Sequence, residues 1–356
     1  MVGFYGNTSK RVNKPTTYIT DVGLQNSSAK IAPEKSVLIA LAGQGKTRGT
    51  AAFLQKNMAI NQSLAALVVN GKADAEFLFY VMEENYDSLR EVSSGDGGRG
   101  GLNKKLLKKF AVSIPSNVCE QKSIAETLSC MDEHIANLTE LIEKKKGIRD
   151  GALEDLVSGR TRLKGVDIVW EETELGRISS YRKGRTSSQK KHYISTENMR
   201  QEFAGITPYS GSYTVDGCEF SEGDTLLANI RPYLKKIWYA DFSGCCSADV
   251  LVVHPNDGIA SKYIYYIVAN DRYINYVMNG GTKGIKMPRG DKKFIMHYPV
   301  MIPTDEKIQQ TLSDMLSSMD EEIIALEEEK DKMLQIKAGA MDDLLTGRIR
   351  LTRQGG

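Results

Sequence analysis

Asp155-Leu-Val-Ser-Gly-Arg160 recurs as Asp343-Leu-Leu-Thr-Gly-Arg348, and the two glycines stand 188 positions apart (347 − 159 = 188). Moving outward from this match, the offset holds without a gap. Met131-Asp132-Glu133 aligns with Met319-Asp320-Glu321, and Phe110-Ala-Val-Ser-Ile-Pro115 with Tyr298-Pro-Val-Met-Ile-Pro303. Further upstream the match continues with small shifts. Ser36-Val-Leu-Ile-Ala40 aligns with Asp224-Thr-Leu-Leu-Ala228, Ser63–Val69 with Ser247–Val253, Phe77-Leu-Phe-Tyr80 with Tyr263-Ile-Tyr-Tyr266, and Tyr18-Ile19 with Tyr193-Ile194. A constant offset over such a length marks internal duplication. The 356 residues therefore read as module (1–115), segment (116–162), module (163–303) and segment (304–352).

Both segments read as long helices. Ile124, Leu128, Met131, Ile135, Leu138 and Ile142 step by fours and threes, as do Leu312, Leu316, Met319, Ile323 and Leu326 in the second copy. That spacing places one apolar seam along each helix, and a single helix cannot bury such a seam by itself. Pro115 and Pro303 precede the helices, and Gly159 and Gly347 follow the last apolar positions as C-terminal stops. Each helix of some forty residues would be about 60 Å long. Because a module separates the two in sequence, an antiparallel pairing is expected, with helix–helix packing through the eleven seam residues just named. The modules read as mixed α/β. Strand-like runs are Val37–Leu41, Ala65–Val69, Thr225–Ala228 and Val250–His254, and short helices are expected at Glu76–Tyr86 and Ser261–Val268. The fold class is thus α+β, two pseudo-repeated α/β domains separated by two long helices forming an antiparallel coiled coil.

The net charge of +2 hides a division. Residues 1–109 carry 15 basic and 9 acidic groups (15 − 9 = +6), whereas residues 305–345 carry 4 and 12 (4 − 12 = −8). One face for a polyanion and another for a different partner are expected from such asymmetry. No apolar run is long enough to span a membrane, and the first ten residues lack the pattern of a secretory signal, so a cytoplasmic protein is expected. Five cysteines without a C-x-x-C pair read as reduced thiols, and no metal site is expected. The four histidines fall in no triad or metal spacing, and no catalytic set emerges.

Basic, Gly-rich loops recur at matching places in both modules. Arg182, Lys183, Arg185, Lys190 and Lys191 parallel Lys10, Arg11 and Lys14. Lys283, Lys286 and Arg289 parallel the loop holding Arg99, and Arg231, Tyr233, Lys235 and Lys236 interleave charge with an aromatic ring. Phosphate contact needs Lys and Arg, and base reading needs donors and acceptors at the groove edge, so these residues are the candidate DNA contacts. Ala40-Leu-Ala-Gly-Gln-Gly-Lys-Thr47 nearly matches a phosphate-binding loop, with Ala at the first Gly position. Its repeat partner, Ala228-Asn-Ile-Arg-Pro-Tyr-Leu-Lys235, has no Gly-Lys-Thr. The preferred reading is a basic loop facing a DNA backbone through Gln44, Lys46 and Arg48. The alternative is a nucleotide-binding enzyme using Gly43–Thr47, and a third reading is a coiled-coil assembly scaffold without a DNA role.

This arrangement resembles the specificity subunits of Type I restriction–modification systems, over essentially the whole chain. The features that carry the resemblance are the two modules, the two intervening helices and the helix ends Leu153–Leu163 and Met341–Leu351; Asn61-Gln62-Ser63 and the opening Trp170…Leu175-Gly176 also match. The resemblance implies a subunit that catalyses nothing and holds no cofactor. Its two target-recognition domains would read the unlike halves of a bipartite duplex target, held on the order of 50 Å apart by helices of that length. The helices would dock two methyltransferase subunits that use S-adenosylmethionine, and motor–nuclease restriction subunits using ATP and Mg would complete the complex. One departure stands out. Aligning Tyr18 with Tyr193 leaves the first module without a counterpart of Trp170–Leu175, so an abbreviated first module is expected.

Overall fold

The structure, a computed structural model, describes residues 10–15, 17–43, 46–94, 101–280 and 289–351. Contacts divide the chain into two units, Met1–Glu140 with Glu327–Gly356 and Leu141–Leu326, so each unit takes part of both long helices.

In the first unit the module runs β1 (Arg11–Val12), α1 (Asp21–Gln25), β2 (Lys30–Ala32), β3 (Val37–Ala40), β4 (Ala51–Leu54), β5 (Met58–Ile60), β6 (Leu64–Leu67), α2 (Ala75–Glu84), α3 (Tyr86–Ser94) and α4 (Lys104–Lys109). A four-stranded sheet has the order β1-β4-β3-β6, and β2 pairs separately with β5. Strand β3 is buried on both faces, and its alternation sorts two cores. Val37 and Ile39 face one cluster with Phe77, Phe79 and Tyr80 of α2, whereas Leu38 and Ala40 face a second with Leu54, Met58 and Ile60. The first cluster also takes Ile124 and Leu128 from the long helix α5 (Val118–Val157), and Met341 and Leu344 from the last helix.

The second unit repeats the plan with additions. Its module holds β7 (Trp170–Glu174), α6 (Leu175–Ile178), β8 (Ser179–Tyr181), β9 (Arg185–Gln189), β10 (Tyr193–Ile194), β11 (Thr214–Phe220), β12 (Thr225–Ala228), β13 (Ile237–Tyr239), β14 (Gly244–Cys246), β15 (Val250–Pro255), α7 (Ser261–Val268), α8 (Asp271–Gly280), α9 (Lys292–Met296) and β16 (Pro299–Pro303). Sheets β13-β12-β15-β8 and β10-β14-β11-β9 lie beside a β16-β7 pair. The final helix, α10, spans Glu306–Leu345. Here Leu153, Leu156 and Val157 from the end of α5, and Leu312 and Leu316 from the start of α10, join one core cluster with Tyr263, Ile264 and Tyr266.

Two long helices of forty residues each stand where the apolar periodicity put them. Their ends show why the repeated motif takes its form. The Asn117 side chain accepts from the Cys119 amide at 2.9 Å, and Asp305 from the Lys307 amide at 2.8 Å, so both starts are capped. At the other ends Gly159 and Gly347 adopt φ +68° and +76°, a left-handed stop that a side chain resists. Arg160 Nε then bonds Asp155 Oδ1 at 3.1 Å, and Arg348 Nε bonds Asp343 Oδ1 at 3.0 Å.

Within each unit the two helices run antiparallel. In the first, His134 meets Glu329 at 3.3 Å and Lys337 meets Asp132 at 2.6 Å, while Glu120 lies against Arg350. In the second, Lys145 meets Glu322 at 2.7 Å and Arg149 meets Asp320 at 2.8 Å. One refinement to the seam follows. Ile124, Leu128, Met131, Leu312, Leu316 and Met319 pack into the module cores rather than serving helix–helix packing alone. The reason is geometric: α2 and α7 lie on the helix starts and cover that stretch of the stripe. Leu138, Ile142 and Ile323, farther along, are buried without joining either module core, and Ile135 and Leu326 are half-buried.

Candidate nucleic-acid interface

Before any ligand-facing surface can be assigned, the basic residues committed to the protein's own structure must be set aside. Arg11, on β1, pairs with Glu76 and donates to Tyr80 Oη at 3.0 Å and to Ser129 Oγ at 3.0 Å. Its guanidinium also lies 5.6 Å from the Phe53 ring centre. Lys10 pairs with Glu83. Arg182 pairs with Asp224, whose side chain is fully buried, and approaches His254 Nδ1 at 3.0 Å. Lys235 bonds Asp271 at 2.8 Å and Glu202 at 2.9 Å, and these carboxylates hold its ammonium above the ordinary lysine pKa. Lys236 donates to the Thr196 carbonyl at 2.5 Å, and Arg289 pairs with Asp249 at 3.0 Å. These six were candidate DNA contacts. The structure gives each an internal partner: Arg11 and Arg182 are half-buried against theirs, whereas Lys10 and Arg289 stay exposed beside Glu83 and Asp249.

One exposed group lies on a loop of the second module. After β12 the chain turns through Asn229–Lys236. Asn229 N donates to the Asp249 carbonyl at 2.8 Å, and Pro232 starts a single tight turn. Arg231 and Lys235 flank that turn with φ of +52° and +53°, uncommon for side-chain-bearing residues and more so directly before a proline. The opposing loop holds this geometry in place: Phe203 N donates to the Lys235 carbonyl at 2.9 Å, and Glu202 N to the Leu234 carbonyl at 3.2 Å. Arg231 and Tyr233 are left projecting, both exposed. Backbone strain of this kind persists where the surroundings enforce it, and it concentrates at functional loops.

A second exposed group lies on the β9–β11 ribbon. Lys183, Arg185 and Lys191 are exposed, and the outward strand residues Thr186, Ser187 and Gln189 supply hydroxyls and an amide. Lys190 sits 4.0 Å from the Tyr209 ring centre and 4.4 Å from that of Tyr193, so an aromatic cage holds it at the base of the ribbon. In the first module Lys14 and Lys46 are exposed, and Arg48 is half-buried beside a groove. Gln44, Arg99, Lys283 and Lys286 lie outside the described residues.

The Gly43–Thr47 stretch connects β3 to β4, which pair antiparallel. A phosphate-binding loop instead delivers the chain from a strand into a helix, whose first amides meet the phosphate. The residues after Thr47 form strand Ala51–Leu54, so the nucleotide reading loses its structural context. Among the described residues no group of His, Cys, Asp and Glu could hold a metal ion, and no helix is long and apolar enough to cross a membrane.

Sequence reasoning missed the polar joints that fix each module to its helices. The Tyr80 hydroxyl donates to Asp132 Oδ2 at 2.7 Å, and Lys337 bonds the other oxygen at 2.6 Å. The Tyr266 hydroxyl donates to Asp320 Oδ2 at 2.8 Å, and Arg149 bonds the other oxygen at 2.8 Å. Gln121 Nε2 donates to the Pro115 carbonyl while its Oε1 accepts from Asp74 N, both at 2.7 Å. Gln309 does the same between Pro303 (2.8 Å) and Ala260 N (2.9 Å). The signal was present in the repeated Met-Asp-Glu and in the aligned Tyr80 and Tyr266, but no spacing rule links residues so distant in the chain.

A family model described as the Type I restriction modification DNA specificity domain matches residues 3–145 and 168–335. A putative type I restriction enzyme specificity subunit of Methanocaldococcus jannaschii, MjaX, is 22% identical over 79% of this chain and 69% of its own length. A second from that organism, the MjaVIII specificity subunit, is 22% identical over 94% of this chain and 85% of its own length. Among solved structures, the Type I restriction–modification S subunit from M. genitalium superposes with a TM-score of 0.61 at 19% identity, covering 88% of this chain and 84% of that one. Two duplicated modules, each built on a shared pair of antiparallel helices and each matched by the family model, place this chain in the Type I restriction–modification DNA specificity family.

Proposed function

We propose that this specificity subunit reads a bipartite, asymmetric duplex target, one half through each module, and that its paired helices dock two methyltransferase subunits. The observation that carries the reading is the duplication of the joint. Each module is tied to both helices through a Tyr–Asp–cation node at equivalent positions. A reader needs this stiffness, since base contacts discriminate only when the scaffold holds them to a fraction of an ångström. The exposed residues differ between modules. Arg231 and Tyr233 have as their counterpart a Gly-Gln-Gly-Lys loop, so unlike half-sites are expected.

In the second module Arg231, Tyr233, Lys183, Arg185 and Lys191 are the proposed contacts; in the first, Lys14 and Lys46. Arg231 is suited to base-edge recognition, whereas the lysines act on phosphate. The helix surface, acidic over 305–345, is unsuited to DNA and is left for protein partners.

The test has two parts. Tagged chain recovered from its host, with its companions identified by mass spectrometry, should bring a methyltransferase at about two copies per chain. Methylome sequencing should then return one split, asymmetric motif that disappears when the gene is removed. Recovery of the chain without a methyltransferase would leave the scaffold reading in its place.

A further inference from the structure

Arg289 has an internal partner of a different kind from that of Arg182. Arg182 meets a carboxylate whose side chain is fully buried, whereas the side chains of Arg289 and Asp249 are 61% and 41% exposed. An ion pair open to solvent on both sides contributes little to stability. What it does set is direction. Arg289 Nη2 donates to Asp249 Oδ1 at 3.0 Å, and that bond uses one of the five N–H donors of a guanidinium. The other donors stay in the same rigid plane, turned by the carboxylate and open to a ligand.

The backbone beneath the pair is held closely. Ile230 and Arg289 face each other in an antiparallel bridge, one residue from the exposed Arg231. Gly290 N donates to the Asn229 carbonyl at 3.2 Å, and Asn229 N to the Asp249 carbonyl at 2.8 Å. Three segments distant in the chain are thus laced together where β12 ends and β15 begins. Gly290 is buried, and a Cβ there would stand 2.9 Å from Asn229 Oδ1 and 3.0 Å from Val277 Cγ1, so this approach requires glycine. The first module carries a different set. Gly43, Ala65 and Gly101 stand opposite Arg231, Asp249 and Arg289, the last at the constant offset (289 − 101 = 188).

We propose that Arg289, aimed by Asp249, reads one guanine of the target from the major groove, and that the first module has no such reader at the equivalent positions. The inference rests on the DNA reading given above and deepens it. In the major groove guanine presents two neighbouring acceptors, N7 and O6, which one guanidinium meets together; adenine sets a donor beside its N7, and thymine and cytosine offer no such pair. An arginine left to rotate must be ordered when DNA arrives, whereas one already turned by a carboxylate is not, and discrimination improves with that preorganisation. Asp249 is a positioning residue in this arrangement. Its own charge faces a polyanion, so it weakens binding to DNA at large while sharpening the preference for guanine.

The test takes the tagged chain as recovered from its host with its companions, and the target duplex defined by methylome sequencing. Each guanine of the target is replaced in turn by 7-deazaguanine, in which N7 becomes C–H, and each duplex competes against random sequence at fixed salt. One guanine is expected at which the replacement weakens wild-type binding about tenfold, with no further loss in Arg289→Ala. Arg289→Lys keeps the charge and should bind random duplex as the wild type does, yet lose the preference at that same guanine. Asp249→Ala should lose part of that preference, about threefold or more, while binding random duplex at least as tightly; a merely structural role would weaken both together. Additive losses from 7-deazaguanine and Arg289→Ala at every guanine, in a complex that still prefers its target to random sequence, would overturn the proposal and leave the DNA reading standing. A wild-type complex without preference for its target would overturn both.

Discussion

Tyr80 and Asp132 are joined by a hydroxyl–carboxylate hydrogen bond of 2.7 Å, and the same bond, at 2.8 Å, joins Tyr266 to Asp320 at the equivalent place in the second unit. In both, the second carboxylate oxygen receives a cation from the antiparallel helix: Lys337 in one, Arg149 in the other, themselves 188 positions apart (337 − 149 = 188). Duplication has thus preserved a three-residue joint that binds a module helix, α2 or α7, to both long helices. A further contact shows how it was varied. Ser129 accepts from Arg11 at 3.0 Å, and its counterpart Ser317 accepts from Lys262 at 2.5 Å, so the cation comes from a strand in one module and a helix in the other.

Removing the hydroxyl should loosen the joint selectively. Tyr80→Phe is expected to destabilise the first unit by about 1 kcal/mol, and Asp132→Ala, which takes the acceptor from Tyr80 and the nearer carboxylate from Lys337, by about 2–3 kcal/mol. Hydrogen-exchange protection in α2 should fall while that in α7 stays unchanged. Tyr266→Phe should give the reverse pattern, and equal loss in both units from one variant would refute the independence of the joints.

Alkaline pH should unfold the protein through its buried tyrosines. Burial raises the Tyr80, Tyr263 and Tyr266 hydroxyls well above the ordinary tyrosine range and pushes Tyr265 and Tyr298 up to about 12. A group whose folded pKa lies above its unfolded value contributes stability in full below the unfolded pKa, near 10, and loses it as pH rises through the folded value. Urea midpoints should therefore hold up to about pH 9 and fall steeply by about pH 11, with tyrosinate absorbance appearing together with loss of helix. Tyrosinate absorbance developing before any unfolding would contradict this.

Arg350 makes a two-pronged contact with Glu120 at 2.6 and 2.7 Å and holds that carboxyl below the usual glutamate range. Its counterpart Arg162 bonds the Gly159, Arg160 and Thr161 carbonyls instead, because Ile308 stands where Glu120 would be. A depressed carboxylate contributes stability above its unfolded pKa and loses it as pH falls through the folded value. Arg350→Gln should therefore destabilise the first unit at neutral pH and flatten its acid transition. Arg162→Gln should leave acid stability unchanged, as two chemical melts across the acid range would show.

On the proposed reading surface, Arg231 and Lys235 should separate by phenotype although four residues apart. Arg231→Ala is expected to cost about 1–3 kcal/mol of specific DNA binding, with non-specific binding and melting temperature little changed. Lys235→Ala removes the contacts to Asp271 and Glu202 and should lower stability of the loop first. Competition binding between target and random duplex at fixed salt distinguishes the two. An unchanged specificity ratio for Arg231→Ala would remove it from the interface.

The repeat, both long helices with their glycine stops, and the α+β class were all legible in the linear chain. Each is written in local chemistry: an apolar period for the helix, Pro115 or Pro303 ahead of its start, Gly159 or Gly347 where the backbone must turn left-handed. Which cations find an internal partner was not legible. Lys10, Arg11, Arg182, Lys235, Lys236 and Arg289 looked like neighbours of Lys183 and Arg231 in composition, yet an internal partner distant in the chain claims each of them, Glu83, Glu76, Asp224, Asp271, Thr196 and Asp249 respectively. Such pairings depend on which surfaces the fold brings within about 4 Å, where a charge or carbonyl competes with water. Local pattern sets the backbone elements and their ends, because these answer to nearest neighbours. The roles of individual polar side chains are set by tertiary contact, because a hydrogen bond is decided by distance in space.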